Sequence, residues 1–132
     1  MVEPGGKRMT QSSEQEPLVS ELRLNPQKSE LAVTFTDGVA GRLSAEFLRV
    51  VSPSAEVQGH SPSERKLVPG KRNVTIRAIE PVGNYAVRLV FSDGHNTGLY
   101  SWRYLHELTR RKDDLWNGYL QELAAAGASR DR

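Results

Sequence analysis

The sequence predicts a small α+β domain: a β-rich fold of antiparallel hairpins with two or three helices, of which the last one or two are C-terminal. Two observations lead to this fold class. Apolar and polar residues alternate around two Asp-Gly pairs, a pattern typical of hairpins because glycine accepts the positive φ of tight turns. Apolar residues also recur at helical spacing after Ser44, after Ser101 and before Gly127.

The first half of the chain contains a strand, a hairpin and a helix. The first predicted strand covers residues 18–24 and ends at an Asn-Pro pair. Alternation over 31–35, followed by Asp37 and its glycine, predicts a hairpin. Ser44 is placed to cap the short helix that follows.

A long loop and a second hairpin come next. Residues 52–73 contain three prolines, several serines and glycines and no periodicity, so they predict a loop. A structureless loop of that length is uncommon in a compact domain and often marks function. Two alternating strands over 74–91 are joined by a turn at 81–84.

Two helices are predicted at the end of the chain. Ser101 caps the first of them, and the run "RRKDD" interrupts it. The second begins at Asp113 or Asp114, where acidic residues suit a helix N-terminus, and it ends at Gly127.

The segments "FTDGVAGRLSAEFL" and "FSDGHNTGLYSWRYL" form a weak internal repeat of strand, turn, short strand and capped helix. With one inserted residue, Phe35, Asp37, Gly38, Gly41, Ser44, Phe47 and Leu48 align with Phe91, Asp93, Gly94, Gly98, Ser101, Tyr104 and Leu105. Because the first copy has the same turn without a histidine, Asp93 and Gly94 are interpreted first as a structural turn.

Length and composition predict one domain over residues 18–127, with a flexible tail at 1–17 and a short tail at 128–132. The chain has no cysteine, which excludes disulfides, thiolate zinc sites, cysteine-bound iron–sulfur clusters and thiol nucleophiles. No apolar run approaches the roughly 20 residues of a membrane span. We therefore expect a cytoplasmic protein without a membrane partner.

The sequence carries no enzyme signature and predicts no cofactor. His60, His95 and His106 lack the spacings of metal ligands, and no Gly-x-Ser-x-Gly elbow or phosphate-binding loop is present. A lone turn histidine such as His95 more often bonds locally than acts as a ligand or acid–base group. Because the unperturbed pKa of a histidine is about 6.5, His95 is suited to acid–base work in a pocket beside Asp93 and Tyr100, which leaves a small-molecule enzyme or ligand binder as a further hypothesis.

A cluster of basic residues offers a different function, in which the chain contacts phosphates and Tyr100 or Trp102 stacks on a base. The cluster consists of Arg65, Lys66, Lys71, Arg72 and Arg77. Most such runs are solvated loops, and 18 basic against 16 acidic residues give a net charge of only +2. Nucleic-acid binding is therefore the second alternative.

The segments "LSAEFLRVVSP", "IEPVGNYAVRLVFSDGH" and "DGHNTGLYSWRYLHEL" resemble the small N-terminal domain of gamma-butyrobetaine hydroxylase, which also occurs alone in bacteria as a domain of unknown function. The similarity covers residues 18–104. In the hydroxylases the domain holds zinc through a Cys-x-Cys-x-x-Cys cluster and the histidine of Asp-Gly-His. Those positions correspond to Ser52, Ser54, Val57 and His95, so the resemblance implies that this copy has lost its zinc.

The resemblance does not imply hydroxylase activity, because the oxygenase domain is absent from this sequence. A similar domain accompanies P-loop iron–sulfur carrier proteins, which implies a role in protein contacts or iron–sulfur metabolism. We therefore predict a non-enzymatic accessory domain that binds another protein or itself, with Asp93, His95, Tyr100 and Trp102 as candidate ligand or interaction residues. The first alternative is a metal-binding or iron–sulfur or oxygenase-associated protein that uses His95.

Overall fold

The computed structural model describes residues 16–132, which form two three-stranded antiparallel sheets and four α-helices. In chain order the elements are β1 (Val19–Leu24), β2 (Glu30–Phe35), β3 (Ala40–Ser44), α1 (Ala45–Val50), α2 (Ala55–Gln58), β4 (Ile76–Val82), β5 (Ala86–Phe91), β6 (Leu99–Ser101), α3 (Trp102–Arg110) and α4 (Lys112–Ala125). The predicted α+β class is confirmed. The tail predicted for 1–17 lies almost entirely outside the described residues. No helix within 16–132 is long and apolar enough to cross a membrane.

The internal repeat corresponds to a structural repeat, because each half of the fold is a three-stranded meander followed by a helix. In both Asp-Gly turns the aspartate Oδ1 accepts the N–H two residues on, at 3.0 Å from Asp37 and 3.1 Å from Asp93. Gly38 and Gly94 have φ of +91° and +93°, which a side chain would strain. The two turns therefore have the same hydrogen bond and the same glycine conformation.

Both repeat helices begin at the serine that the sequence predicts. The Ser44 hydroxyl accepts the N–H three residues on at 2.9 Å, and Ser101 does the same at 3.1 Å. Arg111 alone separates α3 from α4, which confirms the break predicted in "RRKDD". Side-chain caps and a one-residue break thus define where α1, α3 and α4 begin.

Each repeat helix contacts the turn of the other half. Arg49 at the end of α1 donates from Nε to Asp93 Oδ2 at 2.8 Å. At the equivalent position of α3, His106 Nε2 lies 2.9 Å from Asp37 Oδ2. This reciprocal pairing ties the two halves together, and it brings the end of α1 to the turn after β5.

The main core lies between the two sheets and helices α1 and α3. Its buried side chains are Leu31, Val33, Phe35, Leu43, Ala45, Phe47, Leu48, Val74, Ile76, Val87, Leu89, Phe91, Tyr100, Leu105 and Leu108. A smaller cluster of Val50, Tyr119 and Leu123 packs α4 against residues 67–68. The two tryptophans flank these clusters rather than lie at their centres.

The prediction of a structureless loop over residues 52–73 was wrong in part. The segment contains α2 and a 3-10 turn at Pro62–Glu64. Ser54 caps α2 by accepting the Glu56 N–H at 3.1 Å. A four-residue helix is too short to show apolar periodicity, so only its cap could have indicated it.

The last five residues, 128–132, which the sequence places outside the domain, form a strap against the segment 70–72. Helix α4 ends in a Schellman motif centred on Gly127, whose φ is +67°. Beyond it, the carbonyls of Ser129 and Arg130 accept the N–H groups of residues 70 and 72, each at 3.0 Å. We call residues 128–132 the C-terminal strap.

Candidate functional site

The four positions that the resemblance assigns to zinc ligands lie together in the structure. Ser52 and Ser54 follow α1, Val57 lies on α2, and His95 follows the turn after β5. All four side chains are buried. The reciprocal packing of helix and turn accounts for the juxtaposition, since it carries the residues after α1 onto the turn that holds His95.

Hydrogen bonds connect this cluster, which we call the His95 centre. Ser52 Oγ lies 2.8 Å from His95 Nε2, and Glu56 Oε1 lies 3.2 Å from Nδ1. A carboxylate only accepts, so Nδ1 donates to Glu56 and Nε2 accepts from the Ser52 hydroxyl. The Ser54 N–H donates to Ser52 Oγ at 3.2 Å, and its own hydroxyl bonds Thr97 Oγ1 at 2.6 Å.

The environment keeps the imidazole neutral. Burial lowers the pKa of His95 below its usual 6.5, and the Arg49 cation lowers it further, while Glu56 opposes the shift. A neutral ring matches the hydrogen-bond pattern, in which one nitrogen donates and the other accepts. His95 therefore acts as a connector between α2 and the segment after α1.

Asp93 is tied to two cations and is not a free base. Its Oδ2 accepts from Arg49 Nε at 2.8 Å and from Lys71 Nζ at 2.7 Å. Burial alone would raise the pKa of Asp93, but the hydrogen bonds from Lys71, the His95 N–H and Arg49 outweigh it and lower the pKa to about 2. The carboxylate thus anchors the turn that positions His95.

The residues at the His95 centre do not fit a zinc ion. Protein zinc sites use thiolate, imidazole and carboxylate ligands, whereas the four positions offer two hydroxyls, a valine and one imidazole. The nearby Glu56 carboxylate is bound to Nδ1 of that imidazole. Among residues 16–132, no three His, Cys, Asp or Glu side chains are grouped as a metal ion would require. The chemistry of the donor set argues against metal at this position.

Ser52, His95 and Glu56 are arranged in the order of a hydrolytic relay, but the serine is closed off. Ser52 is 0% exposed, and its hydroxyl is held by His95 and by the Ser54 N–H. A catalytic serine must be accessible to its substrate, and hydrogen-bond donors must lie around the position where the oxyanion forms. The centre therefore has the hydrogen bonds of a relay without access to it.

The other candidate residues lie apart from His95 or below the surface. Tyr100 is 0% exposed, burial raises its pKa, and its hydroxyl donates to the Leu48 carbonyl. Trp102 is half-buried, and with Leu18 and Tyr85 it lines an open cavity of about 540 Å³. Of the four candidates, Asp93 and His95 are joined by a hydrogen bond, Tyr100 is buried near Ser52 with its hydroxyl bonded to Leu48, and Trp102 lies elsewhere.

The chain's own carboxylates pair with three of the five basic residues predicted as a nucleic-acid surface. The pairs are Arg65 with Glu122, Lys71 with Asp93, and Arg72 with Asp131. Phosphate binding requires cations that are free to replace counterions. The pairing argues against this run as a phosphate-binding surface.

Sequence reasoning missed Glu56, Arg49 and Gly98 at the His95 centre. A Cβ on Gly98 would lie 2.5 Å from Ser52 Oγ. The repeat contained a signal for this glycine, because it aligns with Gly41, where a Cβ would lie 2.8 Å from Thr109 Cγ2. The two charged residues had no such signal, since their partners are distant in sequence.

The pH dependence of stability tests the neutral state of His95. Between the lowered pKa of the folded chain and about 6.5, the unfolded chain binds more protons, so stability falls as the pH falls through this window. We expect the wild type to lose stability from pH 7.5 to 5.5, and His95→Gln to lose less over that interval. Urea denaturation at each pH measures the difference, with the exposed His60→Gln as control. Equal slopes for wild type and His95→Gln would contradict the assignment.

The stability that the Asp93 carboxylate contributes is lost in a different pH range. Its pKa is lowered to about 2, so this stability is lost only as the pH falls from about 4 towards 2.

Comparison with known proteins gives one family match. The family model described as gamma-butyrobetaine hydroxylase-like, N-terminal, matches residues 22–106. No curated protein matches the chain. The family match includes Ser52, Ser54, Val57 and His95.

Solved structures similar to the chain include two determined by NMR in solution. One is 49% identical with a TM-score of 0.75 and covers 87% of this chain and 90% of its own. The other is 48% identical with a TM-score of 0.75, covering 98% and 91%. A 1.93 Å crystal structure of a DUF971-family protein with unknown function, from Acidithiobacillus ferrooxidans ATCC 23270, is 41% identical with a TM-score of 0.57 and covers 70% and 91%.

Proposed function

The chain belongs to the gamma-butyrobetaine hydroxylase-like N-terminal family, and from that premise we propose that it is a non-enzymatic accessory domain that binds another protein or a second copy of itself. Family membership by itself supplies no activity. The proposal therefore depends on what the His95 centre and the surface of this chain are suited to do.

The observation that carries the proposal is the closure of the His95 centre. Both ring nitrogens of His95 are hydrogen-bonded, and the imidazole side chain is only 2% exposed. Such a centre connects parts of the fold, since no ring nitrogen is left for a substrate or a metal ion. This closure supports a scaffold role over catalysis and over metal or iron–sulfur binding through His95.

A binding role is supported by an apolar surface near the start of β1. Leu18 and Tyr85 are 55% and 56% exposed, and Trp102 lies beside them in the same open cavity. An exposed tyrosine and leucine beside an open cavity that a tryptophan also lines are suited to contact with a protein. We call Leu18, Tyr85 and Trp102 the aromatic patch. The nucleic-acid alternative has no comparable support.

Substitution at the aromatic patch tests the binding role. We expect affinity purification with this chain as bait to recover a stoichiometric protein partner, or a second copy of the chain. Tyr85→Glu places a charge at the centre of the contact and should lower the affinity of that complex at least about tenfold, while Tyr85→Phe should retain the affinity. Affinity is measured by isothermal titration with the purified partner.

The fold of both variants is checked by circular dichroism, since Tyr85 is exposed and its replacement leaves the core intact. Equal affinity of Tyr85→Glu and wild type would remove the aromatic patch from the contact. A bait that recovers no protein and stays monomeric at every concentration would contradict the proposed function.

A further inference from the structure

The end of the chain closes over a buried carboxylate on α1. Glu46 is 4% exposed and accepts two hydrogen bonds from Arg130, from Nε to Oε2 at 2.8 Å and from Nη2 to Oε1 at 2.7 Å. Trp116 on α4 lies against the same guanidinium, with Cζ 5.2 Å from its ring centroid. A planar, forked cation is therefore recognised by a carboxylate and an aromatic face together.

Arg130 is the main anchor of the C-terminal strap. The other side-chain contact of the strap joins Asp131 to Arg72, and these side chains are 61% and 43% exposed. An exposed ion pair of this kind contributes little to stability. The strap is also held by the two backbone hydrogen bonds to residues 70 and 72 and by the packing of Ala128 against the cluster of Val50, Tyr119 and Leu123.

The strap leaves space beside the guanidinium. An open cavity of about 490 Å³ is lined by Glu30, Glu46, Trp116 and Arg130, among others. Arg130 is the one residue of the strap that lines this cavity, so an extended segment that placed an arginine on Glu46 could continue into it. We call the Glu46 and Trp116 pocket together with this cavity the arginine groove.

We propose that the arginine groove is a docking site for an arginine-bearing extended segment of another protein, and that the C-terminal strap occupies it in the free chain. Glu46 makes the site selective. A partner that displaced Arg130 without supplying a guanidinium would leave a buried carboxylate unpaired, which is strongly unfavourable. A lysine would supply the charge without the planar fork.

The occupant is a different protein rather than a second copy of this chain. A strap from a second copy would make the same contacts that the chain already makes with its own, and it would also lose the entropy of association. A different segment gains the contacts of the unfilled cavity. The inference rests on the proposed function only in supposing a protein partner, and it concerns a surface other than the aromatic patch.

Peptide binding to a full-length variant tests the inference. Arg130→Ala vacates the groove, and the probe is the peptide Ala-Ser-Arg-Asp-Ala, with Ala-Ser-Lys-Asp-Ala as its matched control. Binding is followed through the indole N–H resonance of Trp116. We expect saturable binding of the arginine peptide, at least tenfold weaker binding of the lysine peptide, and loss of binding in Arg130→Ala/Glu46→Gln. In the wild type the tethered strap competes, so the peptide should bind at least tenfold more weakly than in Arg130→Ala.

Three results would overturn the inference: equal affinity for the two peptides, absence of saturation, or a wild-type dimer in sedimentation that Arg130→Ala abolishes. The last would assign the groove to a second copy. If Arg130→Ala fails to fold, the same titrations are made on Arg130→Lys, which keeps a cation beside Glu46. Failure here leaves the Tyr85→Glu experiment unaffected, so the inference and the proposed function are tested separately.

Discussion

The variant Ser52→Cys/Ser54→Cys/Val57→Cys is expected to bind one Zn²⁺ per chain, whereas the wild type retains none through dialysis. The three substitutions restore the Cys-x-Cys-x-x-Cys pattern that the family resemblance implies, and His95 supplies the fourth ligand. The three positions are buried beside that histidine. Three thiolates and one imidazole are a typical structural zinc set.

The hydrogen bonds of the wild type already orient His95 for this role. Ser52 Oγ faces Nε2 at 2.8 Å, so a thiolate at residue 52 would lie on the side of the ring where the metal binds. Glu56 faces Nδ1 and would become the carboxylate that holds a zinc-bound histidine in place. The His95 centre therefore already has the carboxylate that would hold a zinc-bound histidine, but it lacks the sulfur ligands.

Elemental analysis after purification and dialysis measures the zinc content of wild type, triple variant and triple variant with His95→Ala. Because zinc binds the folded chain, the triple variant should also melt at a higher temperature with zinc than with a chelator, unlike the wild type. Stoichiometric zinc or iron in the wild type that His95→Ala removes would contradict both this prediction and the proposed metal-free role. A triple variant without zinc would show that the ligand positions are misassigned.

Most of the fold could be predicted because its signals are local. The alternation around Asp37 and Asp93 and the capping serines are all read within a few residues, and the structure contains the corresponding turns and helices. Helix α2 was missed because a single turn has no periodicity, although Ser54 caps it. Features that depend on a few neighbouring residues could therefore be predicted, whereas those that depend on tertiary contacts could not.

The contacts of the candidate site depend on residues far apart in the chain. Ser52 and His95 were placed together only through the resemblance, since 43 residues separate them. The pairing of Glu46 with Arg130 spans 84 residues, and neither residue differs in sequence from an ordinary surface charge. Burial selects which of the many charges are paired in this way, and burial is a property of the fold rather than of the neighbouring residues.

Gly98→Ala is expected to destabilise the fold strongly, because the added Cβ would clash with Ser52, the residue that is hydrogen-bonded to His95. It would lie 2.5 Å from Ser52 Oγ and 3.2 Å from Tyr100 Cε1, and both of these residues are 0% exposed. Overpacking of this kind costs about 1–3 kcal/mol. If Ser52 moves to relieve the clash, its bond to His95 breaks, which costs about 1–3 kcal/mol more.

Urea denaturation of Gly98→Ala, with Ser52→Ala and the double variant, isolates this contact. Removing the Ser52 hydroxyl gives the new methyl group space, so Gly98→Ala should cost clearly less in the Ser52→Ala background than in the wild type. Gly118→Ala is the control, because a Cβ there meets nothing within 4 Å and alanine favours the interior of α4 by about 0.5–1 kcal/mol. If Gly98→Ala were as stable as the wild type, Ser52 could not be fixed against Gly98. The His95 centre would then be loose enough to open, and closure could no longer support a scaffold role.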